Sequence, residues 1–284
     1  MGAIVLATCA TWPEASASDR HLIDALRARG RAVAAAPWNA AFAPFEDALA
    51  VVVRSTWDYH LTPEAYAAWL ARLDPARTFN PPALIRWNLS KGHVMDLARR
   101  GAVVPRTREA AAEPDAVAAA LDALGLQDAV IKPLVGASGT GVERVRRGDE
   151  AAAVARMRAA TPSARLLVQE FLPVIAHGEL AGVFFDGVFS HGLRRMPVPG
   201  EFRINAQYGG TMEAAELSAA VVEKMAAVLA LLPERPLYAR VDGVVDADRF
   251  VVMEVEVNEP GLGLHLAPGA GERFADALLT RLAR

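Results

Sequence analysis

Residues 253–260 read Met-Glu-Val-Glu-Val-Asn-Glu-Pro, and this stretch carries the strongest prediction of the fold. Valines alternate with polar residues as they do along a β-strand, so Glu254, Glu256 and Asn258 share one face. Together with Asp242, earlier in the chain, these side chains form an all-oxygen set that suits Mg²⁺ bridging nucleotide phosphates. The alternative is a solvated strand face, although a surface strand in this arginine-rich chain would be expected to carry Arg or Thr rather than repeated acids.

A second informative stretch is Val130-Ile131-Lys132-Pro133, which a glycine-rich loop follows at Gly136-Ala137-Ser138-Gly139-Thr140-Gly141. An apolar strand ending in a lysine presents an ammonium beside free backbone N–H groups, and such loops cradle phosphate oxygens. The chain has 30 basic residues but only three lysines, Lys91, Lys132 and Lys224, so each lysine is informative. The loop lacks the Lys-Ser or Lys-Thr of a Walker A motif, and a plain hairpin turn remains an alternative.

The stretch 167–173, Leu-Val-Gln-Glu-Phe-Leu-Pro, predicts a strand that runs into a proline-terminated connection. An acid followed by aromatic and aliphatic residues can bind a flat heterocycle through edge hydrogen bonds and stacking. An ordinary sheet edge would look the same in sequence.

The chain outside these stretches predicts three lobes of mixed class, α/β followed by α+β. Residues 1–85 alternate strands and helices, which implies a parallel sheet, and they lack a dinucleotide-binding fingerprint, so we expect a substrate lobe. Asn80-Pro81-Pro82 marks the boundary to a central lobe, 86–172, which a C-terminal lobe, 173–284, follows. In these two lobes we expect antiparallel sheets, an extended piece at Val103–Thr107 and a long helix at Glu213–Leu231.

Composition excludes several classes of protein. With 284 residues, 53% hydrophobic and 22% charged, the chain can form a large core. A net charge of −3 gives no reason to expect a nucleic acid or an anionic membrane as partner. The chain has a single cysteine, Cys9, and we see neither a secretory leader nor an apolar run of ~20 residues. These features predict a cytoplasmic protein.

In this order the motifs resemble the ATP-grasp superfamily over roughly residues 85–284, and Lys91 sits where that family has an earlier lysine. The stretch 169–205 is most similar to the branch of glutathione synthetases and ribosomal-S6-modifying ligases. The segment Arg54-Ser55-Thr56-Trp57-Asp58-Tyr59-His60, the pair Ser190-His191 and the ending Glu-Val-Asn-Glu-Pro resemble cycloserine-pathway cyclo-ligases. Ala181 stands where glutathione synthetases carry an arginine, which argues against a glutathione-type substrate.

The resemblance implies roles for individual residues. Lys91, Lys132 and the loop residues Gly136, Ser138, Gly139 and Gly141 would contact the phosphates of ATP. Glu170, Phe171 and Leu172 would hold the adenine, and Glu179 the ribose hydroxyls. Asp242, Glu256 and Asn258 would hold Mg²⁺, and Arg203 would face the acyl phosphate.

Other residues keep two interpretations. Arg195 is a second candidate cation or a surface salt bridge. Arg54, Trp57, Asp58 and Tyr59 follow a strand whose end should face the cleft, so they are candidates for the substrate pocket or form an aromatic packing loop. His191 is a base or a satisfied strand histidine, and the role of Glu254 is open.

The sequence therefore predicts an ATP- and Mg²⁺-dependent carboxylate–amine ligase that acts through an acyl phosphate on a small amino-acid-like substrate. Ligation within one molecule, as in a cyclo-ligase of secondary metabolism, is one form of this reaction. A small-molecule kinase and a nucleotide-binding regulatory protein without turnover are the alternatives. We expect a small-molecule carboxylate and an amine-type substrate as partners, and a homodimer is left open.

Overall fold

The computed structural model describes residues 2–284, and the first of its three sheets is parallel. Its elements are β1 (Ile4–Thr8), α1 (Ala17–Ala28), β2 (Val33–Pro37), α2 (Ala43–Glu46), β3 (Ala50–Ser55), α3 (Pro63–Arg72) and β4 (Thr78–Phe79). The strand order is β2-β1-β3-β4. α1 begins at Ser16, whose hydroxyl accepts a hydrogen bond from the backbone N–H of Asp19, as N-cap serines do.

Two short helices, α4 (Pro82–Leu89) and α5 (His93–Arg99), lead into the second sheet. This part contains β5 (Thr107–Ala111), α6 (Pro114–Leu124), β6 (Asp128–Pro133), β7 (Glu143–Arg146), α7 (Glu150–Ala160) and β8 (Arg165–Glu170). The strands are antiparallel in the order β5-β8-β6-β7. Apolar side chains of α6 and α7 pack on one face of this sheet, which leaves the other face for the site.

The third sheet is also antiparallel and has five strands. Its elements are β9 (Glu179–Phe185), β10 (Val188–Met196), β11 (Thr211–Ala215), α8 (Ala219–Leu229), β12 (Tyr238–Asp246), β13 (Arg249–Glu256) and α9 (Ala270–Leu282). The order is β11-β10-β9-β12-β13. Its core is continuous with that of the first sheet, since Ile4 and Leu22 belong to the same buried cluster as Tyr238 and Phe274.

The predicted helix Glu213–Leu231 is wrong at its start. Glu213 lies in β11, where it pairs with Arg194 of β10, and the helix begins only after Ser218. The hydroxyl of Ser218 caps α8 by accepting from the N–H of Val221, so this cap fixes the start.

The predicted extended piece Val103–Thr107 is displaced, because the strand runs over Thr107–Ala111. Three helices, α2, α4 and α7, lie where the sequence predicted no element. In α4, Pro82 occupies the first turn, where a missing N–H costs nothing. Within residues 2–284, no helix is long and apolar enough to span a membrane.

Candidate active site

A cavity of about 440 Å³ lies between the second and third sheets, and loops of the first part close one end of it. Its walls are the ends of β6 and β8, the polar face of the third sheet and the glycine loop. Most residues predicted for a site line this cavity. They are Lys91, Lys132, Gly136, Ser138, Gly139, Glu170, Phe171, Leu172, Glu179, Arg195, Arg203, Glu256 and Asn258, with Trp57 and Tyr59 from the first part.

Two lysines project into one end of the cavity. The ammonium of Lys132 donates to Gln169 Oε1 at 2.8 Å, and burial lowers its pKa. Burial alone would also lower the pKa of Lys91, but Glu254, whose Oε1 lies 2.5 Å from Nζ, raises it. Lys132 forms no ion pair with any carboxylate of residues 2–284, so its charge is available to an anion.

The glycine loop between β6 and β7 is held against the segment 205–208. Ser138, Gly139 and Gly141 have φ values of +56°, +74° and +70°. A Cβ on Gly139 would lie 2.5 Å from Asn205 Oδ1, so only glycine fits there. The Tyr208 hydroxyl donates to the Gly139 carbonyl at 3.1 Å. The loop is therefore a hairpin connection that also forms part of the cavity wall, next to Lys132. Gly141 belongs to the loop but not to the cavity lining.

The far end of the cavity is aromatic. Glu170 is paired with the Arg106 guanidinium at 2.8 Å, and this hydrogen-bonded pair lowers the pKa of the carboxyl. The Phe171 ring has the Arg144 guanidinium 3.8 Å from its centroid and Phe202 edge-on at 6.0 Å. Backbone and ring groups here can bind a flat heterocycle.

An acid–arginine network, formed by Glu179, Arg195, Arg240, Asp242 and Glu256, crosses four neighbouring strands. Arg240 binds Asp242 through two bonds of 2.7 and 2.8 Å and Glu256 at 2.6 Å. Arg195 bridges Glu179 and Asp242 at 3.0 and 3.1 Å. Burial, with the charge of Asp242, raises the pKa of Glu179 to about 7, and burial also raises the pKa of Glu256. Three acids face two arginines, so negative charge is in excess and a further cation would be stabilised.

Sequence reasoning missed Arg240, which lies at the centre of this network and is 4% exposed. The signal was present, because Arg240 precedes Asp242 by two residues on the same strand and alternation places both on one face.

Of the predicted metal ligands, Glu256 and Asn258 line the cavity, whereas Asp242 is fully buried and is not part of its lining. The donor set suits Mg²⁺ after two changes in hydrogen bonding, one at the Asn258 amide and one between Arg240 and Glu256. Among residues 2–284, no three His, Cys, Asp or Glu side chains form a ready metal site. Mg²⁺, however, is commonly held by one or two carboxylates and completed by phosphate oxygens and water. The amide nitrogen of Asn258 is buried without a partner, while its oxygen accepts from Tyr66 at 2.8 Å. Turning the amide over would let the nitrogen donate to Tyr66 and leave Oδ1 as the unpaired atom, free to serve as a ligand.

Arg203 lies on the cavity wall and also forms an ion pair with Glu201. Its guanidinium contacts Glu201 at 2.7 Å and lies 3.8 Å from the centroid of the Tyr208 ring. The hydrogen-bonded Arg203 guanidinium lowers the pKa of Glu201 to about 2. The side chain of Arg203 is 22% exposed, so a part of the guanidinium remains open to the cavity.

Two of the four residues predicted for the substrate pocket lie outside the cavity. Arg54 is completely buried, with Nε 3.0 Å from Asp19 and Nη2 2.6 Å from the Pro260 carbonyl. It ties the first part of the chain to the third and has no path to a substrate. Asp58 accepts from the indole N–H of Trp38 at 2.6 Å and does not line the cavity. The end of the strand does face the cleft, but of these four residues only Trp57 and Tyr59, which lie in the turn after the strand, line the cavity.

Three further residues have clear surroundings. His191 lies outside the cavity lining, between Ser190 and the Leu262 carbonyl at 2.8 Å, and burial lowers its pKa, so it is a satisfied strand histidine. Glu254 is the partner of Lys91. Glu259, which sequence reasoning did not select, lines the cavity and is 8% exposed. Burial, with the charge of Glu256, raises the pKa of Glu259 to about 8.

Comparison with known proteins gives two family matches. Residues 102–262 match the ATP-grasp domain of prokaryotic glutathione synthetase. Residues 4–80 match the N-terminal domain of D-cycloserine synthetase DcsG.

The chain is similar to individual proteins of both groups. It is 31% identical over 300 residues to a cycloserine biosynthesis protein, DcsG, of Streptomyces lavendulae, with 99% of each chain covered. It is 29% identical to a glutathione synthetase of Prochlorococcus marinus over 55% of this chain and 50% of that one. The crystal structure of D-cycloserine synthetase DcsG superposes with a TM-score of 0.87 at 28% identity, covering 99% of this chain and all of the other. The ATP-grasp ligase PsnB shares the fold at a TM-score of 0.67 and 20% identity, with 98% of both chains covered.

Proposed function

Because the chain belongs to the prokaryotic glutathione synthetase family of ATP-grasp domains, we propose that it closes a ring of the cycloserine type within one amino-acid-like molecule. The broader activity, ATP- and Mg²⁺-dependent C–N ligation of a carboxylate, holds for the family and for this chain. One observation carries the finer proposal. The part of the chain that supplies Trp57 and Tyr59 to the cavity matches the N-terminal domain of a cycloserine synthetase.

Lys132 and Lys91 are the proposed phosphate ligands. Lys132 lacks a carboxylate partner in residues 2–284 and lies beside the glycine loop, whose backbone can approach a phosphate closely. Lys91 is held by Glu254 and so has a fixed position. Preformed positive charge of this kind stabilises a transferring phosphoryl group at little reorganisation cost.

The aromatic end of the cavity is the proposed adenine site. Phe171 and Leu172 supply the apolar faces, and Glu170 is fixed by Arg106. Glu179 is the proposed ribose ligand, since Arg195 occupies its Oε2 and leaves Oε1 to accept from a hydroxyl.

Asp242, Glu256 and Asn258 are the proposed Mg²⁺ ligands. When bound, Mg²⁺ would neutralise phosphate charge and orient the nucleotide. For Glu256 to ligate, the Arg240 guanidinium must release it, and Arg240 can keep its two bonds to Asp242 when it does so. The Tyr66 hydroxyl fixes the Asn258 amide through a contact of 2.8 Å, and Thr56 in turn contacts the Tyr66 hydroxyl at 3.0 Å.

Three arginines are proposed to act on charge that develops during the reaction. The substrate carboxylate attacks the γ-phosphate to give an acyl phosphate and ADP, and a nitrogen of the same molecule then displaces phosphate. Arg203 is proposed to face the acyl phosphate, and Arg195 and Arg240 the oxyanion that forms when nitrogen adds to the carbonyl. Fixed cations near a developing negative charge contribute strongly to catalysis in a buried site.

A panel of D- and L-amino acids and their ureido derivatives tests the proposal. We expect Mg²⁺-dependent release of both ADP and phosphate with one class of compound, and a product lighter than the substrate by one water. A product heavier by a phosphoryl group would show a kinase. Nucleotide binding without ADP release across the panel would contradict a ligase and favour a regulatory module.

A further inference from the structure

Glu259 is rigidly placed at the junction of the first and third parts of the chain. The indole N–H of Trp57 donates to the Glu259 carbonyl at 2.9 Å. The next carbonyl, that of Pro260, accepts from Arg54 at 2.6 Å. These two carbonyl contacts hold the backbone at Glu259 and Pro260 in place in the cavity wall.

Glu259 differs from the other carboxylates of the cavity because it has no cation. Glu179, Glu256 and Asp242 contact arginines, and Glu254 contacts Lys91. Glu170 of the lining and Glu201, which lies outside it, also contact arginines. Across the described chain, 2–284, the Glu259 carboxylate has neither an ion pair nor a hydrogen bond from another side chain, although the residue is 92% buried. Burying a charge without a partner is costly, so the ionised carboxylate would be stabilised by a positive group that the chain itself does not supply.

The surroundings of Glu259 favour an ammonium. Trp57, whose indole donates to the Glu259 carbonyl, lines the same cavity as Glu259, and so does Tyr59. Aromatic faces attract cations. Burial raises the pKa of both Tyr59 and Tyr66, and the charge of Glu259 raises it further. Lys91, whose pKa the charges of Glu254 and Glu259 raise, is already bound to Glu254. A carboxylate beside aromatic rings is a site for a small primary ammonium rather than for a phosphate or a second carboxylate.

We propose that Glu259 binds the ammonium group of the substrate and so determines which amino compounds enter the cavity. This inference rests on the proposed function, since it concerns the same amino-acid-like molecule. An amine held as an ammonium has no lone pair, so the group at Glu259 does not attack the acyl phosphate. It remains free in the product, and ring closure is directed to the other nitrogen.

A pair of ring compounds tests the site by binding alone. D-cycloserine carries a free ammonium, and isoxazolidin-3-one is the same ring without it. With Mg²⁺ and ADP present, wild-type protein should bind D-cycloserine about 10- to 100-fold more tightly in calorimetry, the range for a hydrogen bond to a charged group. In Glu259→Gln this preference should fall to within about threefold, because the amide keeps the shape but loses the charge. Glu216→Gln, which removes a charge from an exposed position, should keep the wild-type preference.

Each outcome decides the inference. If wild-type protein bound the two rings equally, or bound neither, the ammonium site would be refuted, and so it would be if Glu259→Gln kept the wild-type preference. Unchanged ADP affinity in Glu259→Gln would exclude misfolding as the cause of a lost preference. The proposed function fails separately, if no compound of the amino-acid panel releases ADP and loses water.

Discussion

Arg203→Met separates a role in the reaction from a role in the wall of the cavity. In the structure the guanidinium contacts Glu201 at 2.7 Å and the Tyr208 ring at 3.8 Å. A partly exposed ion pair contributes roughly 0–1 kcal/mol and a cation–π contact about 0.5–1 kcal/mol. Methionine keeps much of the packing, so unfolding should become easier by only about 1–2 kcal/mol.

The expected effect on catalysis is larger. If Arg203 faces the acyl phosphate, it acts on charge that is absent from bound ATP. The variant should then keep its ATP affinity within about threefold, while kcat falls by about 10²-fold, the size of one lost transition-state donor. Calorimetry gives the affinity and ADP release gives kcat.

Glu201→Gln is the matched control for Arg203→Met. It weakens the same ion pair but leaves the guanidinium in place, so kcat should stay within about threefold of the wild type. Equal losses of kcat in the two variants would mean that Arg203 acts only through Glu201. An unchanged kcat in Arg203→Met would show that Arg203 has no role in the reaction.

Four other variants probe separate parts of the account. Lys132→Ala should weaken ATP binding and lower kcat by about 10²–10³-fold. Near-normal kinetics would show that Lys132 and the glycine loop do not bind phosphate and that the loop is only a structural turn. Tyr66→Phe frees the Asn258 amide and should raise the Mg²⁺ concentration for half-maximal rate about tenfold, whereas an unshifted Mg²⁺ titration would argue against Asn258 as a ligand. Arg54→Met leaves Asp19 buried without a cation and should lower the free energy of unfolding by about 3–5 kcal/mol in a denaturant titration. Normal stability with a raised KM would instead indicate that Arg54 contacts the substrate. Burial lowers the pKa of His93 to about 4, so the neutral imidazole contributes fully to stability above pH 6.5, and up to about 3 kcal/mol is lost as pH falls toward 4. His93→Asn should flatten that part of the pH profile of the unfolding free energy. A profile identical to that of the wild type would contradict a buried neutral His93.

The sequence predicted the strands of the site well because their patterns are local. Alternation in 254–258 and the lysine at the end of 130–132 are set by the two-residue period of a strand, which tertiary packing does not change. The same rule would have found Arg240, two residues before Asp242, had the cation been considered together with the acids that it neutralises.

Other features depend on contacts between distant parts of the chain. Arg54 looked like a pocket residue because it ends a strand, but Asp19, 35 residues earlier, and the Pro260 carbonyl draw it into the interior. Spacing along the sequence could not distinguish Glu259 from the neighbouring acids. Only the folded structure shows that the other acids contact an arginine or lysine side chain and that, along residues 2–284, Glu259 does not. The start of α8 depended on a competition between helix propensity and pairing with β10, which the sequence of 213–218 alone does not decide.

The most direct test of the central claim follows an oxygen atom. With the amino-acid-like substrate that stimulates ADP release labelled with ¹⁸O in its carboxylate, attack on the γ-phosphate and displacement by nitrogen carry one substrate oxygen into the released phosphate. We expect phosphate that is two mass units heavier, formed in equal amount with a product that has lost one water. Unlabelled phosphate would contradict this, because the phosphoryl group would then have been transferred to water and not to the substrate carboxylate.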